Sequence, residues 1–88
     1  MVRVLLVTSE GCKPCTRVKR VLSELQTKMP SLTVETVDLT SPQGTRLAMD
    51  NQILYSPAVF IEGKLFGKGK IDANEMVESL RRANGEHS

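Results

Sequence analysis

The sequence predicts an α/β fold, a four-stranded mixed sheet flanked by helices in the order βαβ(α)ββα. Three observations carry that expectation. The first is an apolar run, an amphipathic run and a β-branched run in direct succession over residues 2–38. A hairpin signal follows Pro57, and a second amphipathic run, opened by Asp72, closes the chain. At 88 residues this is one domain, with an ordered core over about residues 2–84 and Glu86, His87 and Ser88 as a frayed tail.

Val2 to Val7 is nearly continuous apolar sequence, the pattern of a central strand covered on both faces. Thr8-Ser9-Glu10-Gly11 then forms a loop at the strand's C-terminal edge, which is where open α/β sheets bind ligands. Val18, Val21, Leu22, Leu25 and Met29 recur in steps of three and four and mark one face of a helix that Pro30 stops. Leu32 to Asp38 reads as a second strand, which a right-handed crossover sets parallel to the first.

Ser41 as N-cap and Pro42 at the first helical position open a short helix. Leu47 and Ala48 are its expected buried residues, and Gly44 weakens it. A strand begins after Pro57, and Gly63-Lys64 turns the chain into a second strand at Leu65-Phe66. On its own chemistry Pro57 is a trans proline opening a strand. Asp72 with Glu75 three residues on caps the last helix. Ala73, Met76, Val77 and Leu80 line its inner face, Arg81 and Arg82 suit its negative end, and Gly85 stops it.

Forty per cent of residues are hydrophobic and only 3 per cent aromatic, so core volume comes from Val, Leu and Ile. The net charge of +2 comes from 12 basic and 10 acidic residues dispersed along the chain. Nucleic-acid binding, which needs a concentrated basic patch, is not implied. The apolar run at the N-terminus is too short for a signal peptide or membrane span, so no membrane is implied either.

The chemistry lies in Cys12-Lys13-Pro14-Cys15, which holds both cysteines of the chain. A C-x-x-C directly after a strand and opening a helix is a dithiol/disulfide exchange motif. Two intervening residues set the second sulfur one turn below the first, within bridging reach. At the helix N-terminus, unpaired N–H groups and the helix dipole favour a thiolate on Cys12, the attacking sulfur. Cys15, inside the first turn, is the resolving sulfur. Pro14 suits that turn because its missing N–H has no helical partner to lose. Lys13 adds a tuning of about 10 to 20 mV by stabilising the thiolate.

A purely structural disulfide over so short a loop contributes less than about 2 kcal/mol. Zinc needs about four ligands, and no second C-x-x-C exists. No metal or organic cofactor is therefore expected. Lys13, Arg17, Lys19 and Arg20 crowd the first turns of the helix; the ordinary reading is a solvated polar face rather than a docking surface. A single vicinal pair without a disulfide framework fits a cycling site in the reducing cytosol.

The element order, Cys12-Lys13-Pro14-Cys15, and Tyr55-Ser56-Pro57 some forty residues later together resemble the thioredoxin/glutaredoxin superfamily in its minimal, glutaredoxin-sized form. The resemblance covers about residues 2–84. It implies a thioredoxin-like fold, a cis Ser56–Pro57 bond facing the disulfide, and substrate binding by Tyr55, Ser56 and Pro57, with the Ser56 backbone pairing to an extended segment. It implies a monomeric thiol-disulfide oxidoreductase acting on disulfide-containing proteins and recycled by a thioredoxin-reductase-like partner.

The chain also departs from both branches. Thioredoxins usually carry Trp before the first cysteine and Gly-Pro between the two; here Gly11 precedes and Lys13-Pro14 intervenes. Leu6 stands at about the position of the thioredoxins' buried acid. Glutaredoxins commonly place Gly-Gly and an acid after the hairpin, where this chain reads Phe66-Gly67-Lys68-Gly69-Lys70. A small thioredoxin is thus favoured over a glutathione-dependent glutaredoxin, and glutathione is disfavoured as a cofactor. A non-catalytic binding module is the third reading.

Overall fold

The computed structural model describes residues 1–85. Its elements run β1 (Val2–Thr8), α1 (Lys13–Lys28), β2 (Leu32–Asp38), α2 (Pro42–Asn51), β3 (Ala58–Ile61), β4 (Lys64–Lys68) and α3 (Ala73–Ala83). The strands form one sheet in the order β2-β1-β3-β4. β1 and β2 are parallel, from Val2 opposite Leu32 to Thr8 opposite Asp38. β3 is antiparallel to β1, with Val7 opposite Ala58, and β4 is antiparallel to β3. The expected tail, 86–88, lies outside the described residues.

Side chains of a strand alternate between faces, and β1 shows how the sheet divides its core. Val2, Val4 and Leu6 point to the face covered by α1 and α3, where they meet Val18, Leu22, Leu25, Met76 and Leu80. Leu5 and Val7 point to the opposite face and meet Ala58 and Phe60 of β3 with Leu47 and Ala48 of α2. Val18, Leu22 and Leu25 repeat at helical spacing and are buried, as are Met76 and Leu80. Each fully buried Leu or Val contributes about 1.5–3 kcal/mol of hydrophobic stabilisation.

Expectations about the second face need correcting. Full cover of β1 on both faces does not hold: Arg3 is exposed and Leu5 half-buried. The ten residues of α2 reach about 15 Å, too short to roof the sheet, and a groove of about 530 Å³ opens between Leu5, Glu35, Leu47 and Phe60. Leu47 and Ala48 are for the same reason half-buried rather than buried.

The buried residue of α2 is Gly44. A Cβ there would stand 1.9 Å from the Asp38 carbonyl oxygen. Gly44 therefore costs some helix propensity but lets α2 approach the end of β2, which no larger residue permits.

The caps follow local chemistry. Ser41 Oγ accepts the Gly44 N–H at 3.0 Å, and Asp72 Oδ1 accepts the Glu75 N–H at 3.0 Å. α1 ends at Lys28, one residue before Met29 and two before Pro30; the Met29 N–H still reaches Leu25 O at 2.8 Å.

Candidate functional site: a vicinal disulfide at the sheet edge

β1 ends at Thr8, and three loop residues carry the chain to Cys12, the N-cap of α1. Its φ of −82° and ψ of 105° are extended, so the helix begins only at Lys13. The Cys12 Sγ accepts the N–H of Cys15 at 3.1 Å, occupying one of the donors that a helix start leaves unpaired. Cys12 and Cys15 are bonded to each other, with an S–S distance of 2.14 Å and Cα atoms 5.3 Å apart. The two sulfurs differ in access. Cys12 is half-buried at the surface, and Cys15 is only 4% exposed. Lys13 and Pro14 between them are both exposed.

The antiparallel register of β1 and β3 brings Pro57 to the same edge, since Ala58 lies opposite Val7. The Ser56–Pro57 peptide bond is cis, Pro57 is buried, and Ser56 half-buried. Ser9 ties the two loops together. Its carbonyl oxygen accepts the Cys12 N–H at 3.3 Å, and its Oγ is 2.5 Å from the Ser56 Oγ. Sequence reasoning passed over Ser9, because its partner lies 47 residues away.

Support for Pro57 comes from β4. The Gly69 N–H donates to Pro57 O at 2.7 Å. Gly69 has φ +79°, and a Cβ there would fall 2.9 Å from the Tyr55 ring, so glycine answers two constraints at once. Lys68, just before it, donates through Nζ to Asn51 O at 3.2 Å and Gln52 O at 2.9 Å. These are the last carbonyls of α2, left without helical donors, and a cation suits that end of the dipole. Lys68 thus anchors the start of the segment that leads to Pro57, a role no local pattern announces.

Tyr55 stands apart from the sulfurs. It is 66% exposed, lies over Gly69, and lines a separate cleft of about 180 Å³ with Leu54 and Lys68. The cleft that holds the sulfurs, about 380 Å³, runs from Thr8 and Ser9 past Cys12 and Cys15 to Lys13, Thr16 and Lys19 along α1. Of the seven site residues read from the sequence, Cys12, Cys15 and Lys13 line this cleft. Ser56 joins through Ser9, Pro57 immediately precedes β3 at the same sheet edge, and Pro14 sits on the helix surface.

Leu6 is fully buried on the α1 side, and among the described residues no polar or charged residue is buried. Among the described residues no side-chain base is therefore held in the core near Cys15. Among the described residues no group of three or more His, Cys, Asp or Glu could hold a metal ion.

A mixed sheet with helices on both faces and a vicinal disulfide at the edge where a helix begins defines a class, the thioredoxin-fold proteins with a paired-cysteine site. A family model described as Thioredoxin domain matches residues 2–81. The chain belongs to that family.

Solved structures agree on the fold. The oxidised mitochondrial thioredoxin 3 of Saccharomyces cerevisiae superposes with a TM-score of 0.69 at 18% identity, over 92% of this chain and 77% of that one. Thioredoxin f2 of Chlamydomonas reinhardtii gives 0.73 at 12% identity, covering 98% and 82%. Thioredoxin of Trypanosoma brucei brucei gives 0.71 at 19%, covering 98% and 77%. No curated protein matches the sequence.

Proposed function

We propose that the protein is a thiol-disulfide oxidoreductase that exchanges disulfides with other proteins, reducing them through the Cys12/Cys15 dithiol. The observation that carries this reading is the asymmetry of the pair. Cys12 is accessible at the helix N-cap with an N–H aimed at its sulfur, and Cys15 is buried one turn in.

In the reduced protein the Cys15 N–H and the start of α1 stabilise a Cys12 thiolate. That thiolate attacks one sulfur of a substrate cystine and expels the other as a thiolate, which gives a mixed disulfide. Cys15 then loses its proton to solvent and attacks the Cys12 sulfur. The second substrate thiolate leaves, and two electrons have passed to the substrate while Cys12–Cys15 becomes the disulfide. A separate reductase, of the kind that serves thioredoxins, restores the dithiol in the reducing cytosol. The resemblance supports a substrate segment lying against Ser56 and Pro57. The exposure of Tyr55 favours a peripheral contact for that side chain.

Glutathione is the lesser reading. Lys68 and Lys70 stand where glutaredoxins place a glycine and an acid, and the Lys68 ammonium is engaged by the end of α2.

A Cys15→Ser variant incubated with a disulfide-containing protein tests the scheme. A trapped mixed disulfide on Cys12 is expected. Turnover equal to the unaltered protein would refute the two-cysteine scheme and favour a monothiol, glutathione-linked one. Equilibration against redox standards then sets direction: about −270 mV marks a reductant and about −120 mV an oxidant.

A further inference from the structure

The first two turns of α1 carry Lys13, Arg17, Lys19 and Arg20 and no acid. On sequence alone these belong to a solvated face, but two features go beyond such a face: their place at a helix N-terminus and the place of Lys13 and Lys19 beside the sulfurs. A helix N-terminus is the positive end of the dipole, where helix stability is better served by Asp or Glu than by cations. All four side chains are exposed, and among the described residues none is hydrogen-bonded or ion-paired.

The cations also border the chemistry. Lys13 and Lys19 line the cleft that holds both sulfurs, and no carboxylate does. Glu10, the one acid between Thr8 and Arg20, is exposed and outside that lining. Asp38, at the same sheet edge, is bonded to Thr40. The chain's net charge is +2, so the rest of the molecule is net acidic and the positive field is concentrated beside the reactive pair.

Resting on the exchange reading above, we propose that this basic strip docks an acidic segment of the protein whose disulfide is exchanged. From Cys12 to Arg20 the helix rises about 12 Å. An extended peptide covers that in about four residues. The favoured partner therefore carries Asp or Glu within about four residues of the attacked cysteine. Docking is non-covalent and leaves the electron balance of the exchange unchanged: two electrons and two protons reach the partner's cystine, and the protein ends as the Cys12–Cys15 disulfide.

The test uses the full chain, reduced beforehand with dithiothreitol and freed of it. Second-order rates are measured with two cystine peptides of equal length, one with Asp and one with Lys beside the cysteine, and with uncharged hydroxyethyl disulfide. We expect the acidic peptide to react about tenfold faster than the basic one at about 20 mM NaCl. The ratio should fall toward one at about 300 mM as screening shortens the field. The triple variant Arg17→Glu, Lys19→Glu, Arg20→Glu should invert it. Taking the ratio within each protein cancels any effect of the substitutions on the sulfurs themselves.

A ratio near one in the unaltered chain, or one that survives the triple reversal, overturns the inference while leaving disulfide exchange intact. Oxidised glutathione reacting faster than the acidic peptide, with that advantage lost in the triple variant, assigns the strip to glutathione and overturns it as well. Failure to react with any disulfide, the uncharged one included, overturns the exchange reading itself.

Discussion

The two faces of the sheet are built by different means. On the α1/α3 face, buried side chains from β1, both helices and β3 interlock into one dry layer, with Leu6, Leu22, Met76 and Leu80 almost wholly enclosed. On the α2 face the buried cluster is smaller, Val7, Ile53, Ala58 and Phe60, and the helix is held by close backbone approach and polar end contacts. The division matches the demands of the site. Cys15 sits on the helix of the dry face, and the segment leading to Pro57 leaves the helix of the open one. A buried sulfur needs a rigid seat, whereas a segment proposed to lie against a substrate needs only to be held at its ends.

The largest difference between the faces should appear on truncation. Leu22→Ala removes a side chain that is 1% exposed and should cost about 2–5 kcal/mol in chemical denaturation. Leu47→Ala, at a half-buried position on α2, should cost about 1 kcal/mol. Equal losses would mean that the two faces share one core.

Next in size is Gly44→Ala. The new methyl would collide with the Asp38 carbonyl, so α2 must shift, at about 1–3 kcal/mol despite the gain in helix propensity. A stabilised variant would show that the contact between α2 and β2 is loose.

Smaller still is Lys68→Met, which keeps the alkyl stem and deletes the ammonium. The expected loss is about 0.5–1 kcal/mol. Faster hydrogen exchange is also expected at the Ile53 amide, which bonds Ala48 O at the C-terminal end of α2. Unchanged exchange there would remove Lys68 from the anchoring of the Pro57 segment.

The smallest effect is electrostatic. Bonds first from the Thr40 hydroxyl and then from its backbone N–H hold the Asp38 carboxyl below its ordinary value. A depressed folded pKa contributes stability that is present above the unfolded value and lost as pH falls through the folded one. Asp38→Asn should therefore flatten the acid end of the stability curve by lowering stability at neutral pH, while below the folded pKa, where Asp38 is itself uncharged, it should change little; thermal melts across the acid range read both.

Elements that depend on neighbouring residues were legible from the chain. Ser41 with Pro42, Asp72 with Glu75, and the spacing of Val18, Leu22 and Leu25 each carry their instruction within one or two turns. The Cys12/Cys15 pair was legible for the same reason, since its chemistry and helix position are local. Contacts across the fold were not. Gly44 reads as a weak helix residue until Asp38 is seen above it. Lys68 reads as a surface cation until the end of α2 is set beside it, and Ser9 as loop filler until Ser56 arrives. Leu47 and Ala48 have the right period, but how deeply they are buried depends on how far a ten-residue helix can extend over the sheet.

The clasp between Ser9 and Ser56 has a consequence for kinetics. Either oxygen can be the donor, and a serine hydroxyl neither takes up nor releases a proton in the range where proteins stay folded. The spacing between the sulfur loop and the proline loop is accordingly indifferent to acidity. In a pH–rate profile for the proposed exchange, this clasp should therefore add no ionisation of its own to those of the thiols and the neighbouring carboxylates.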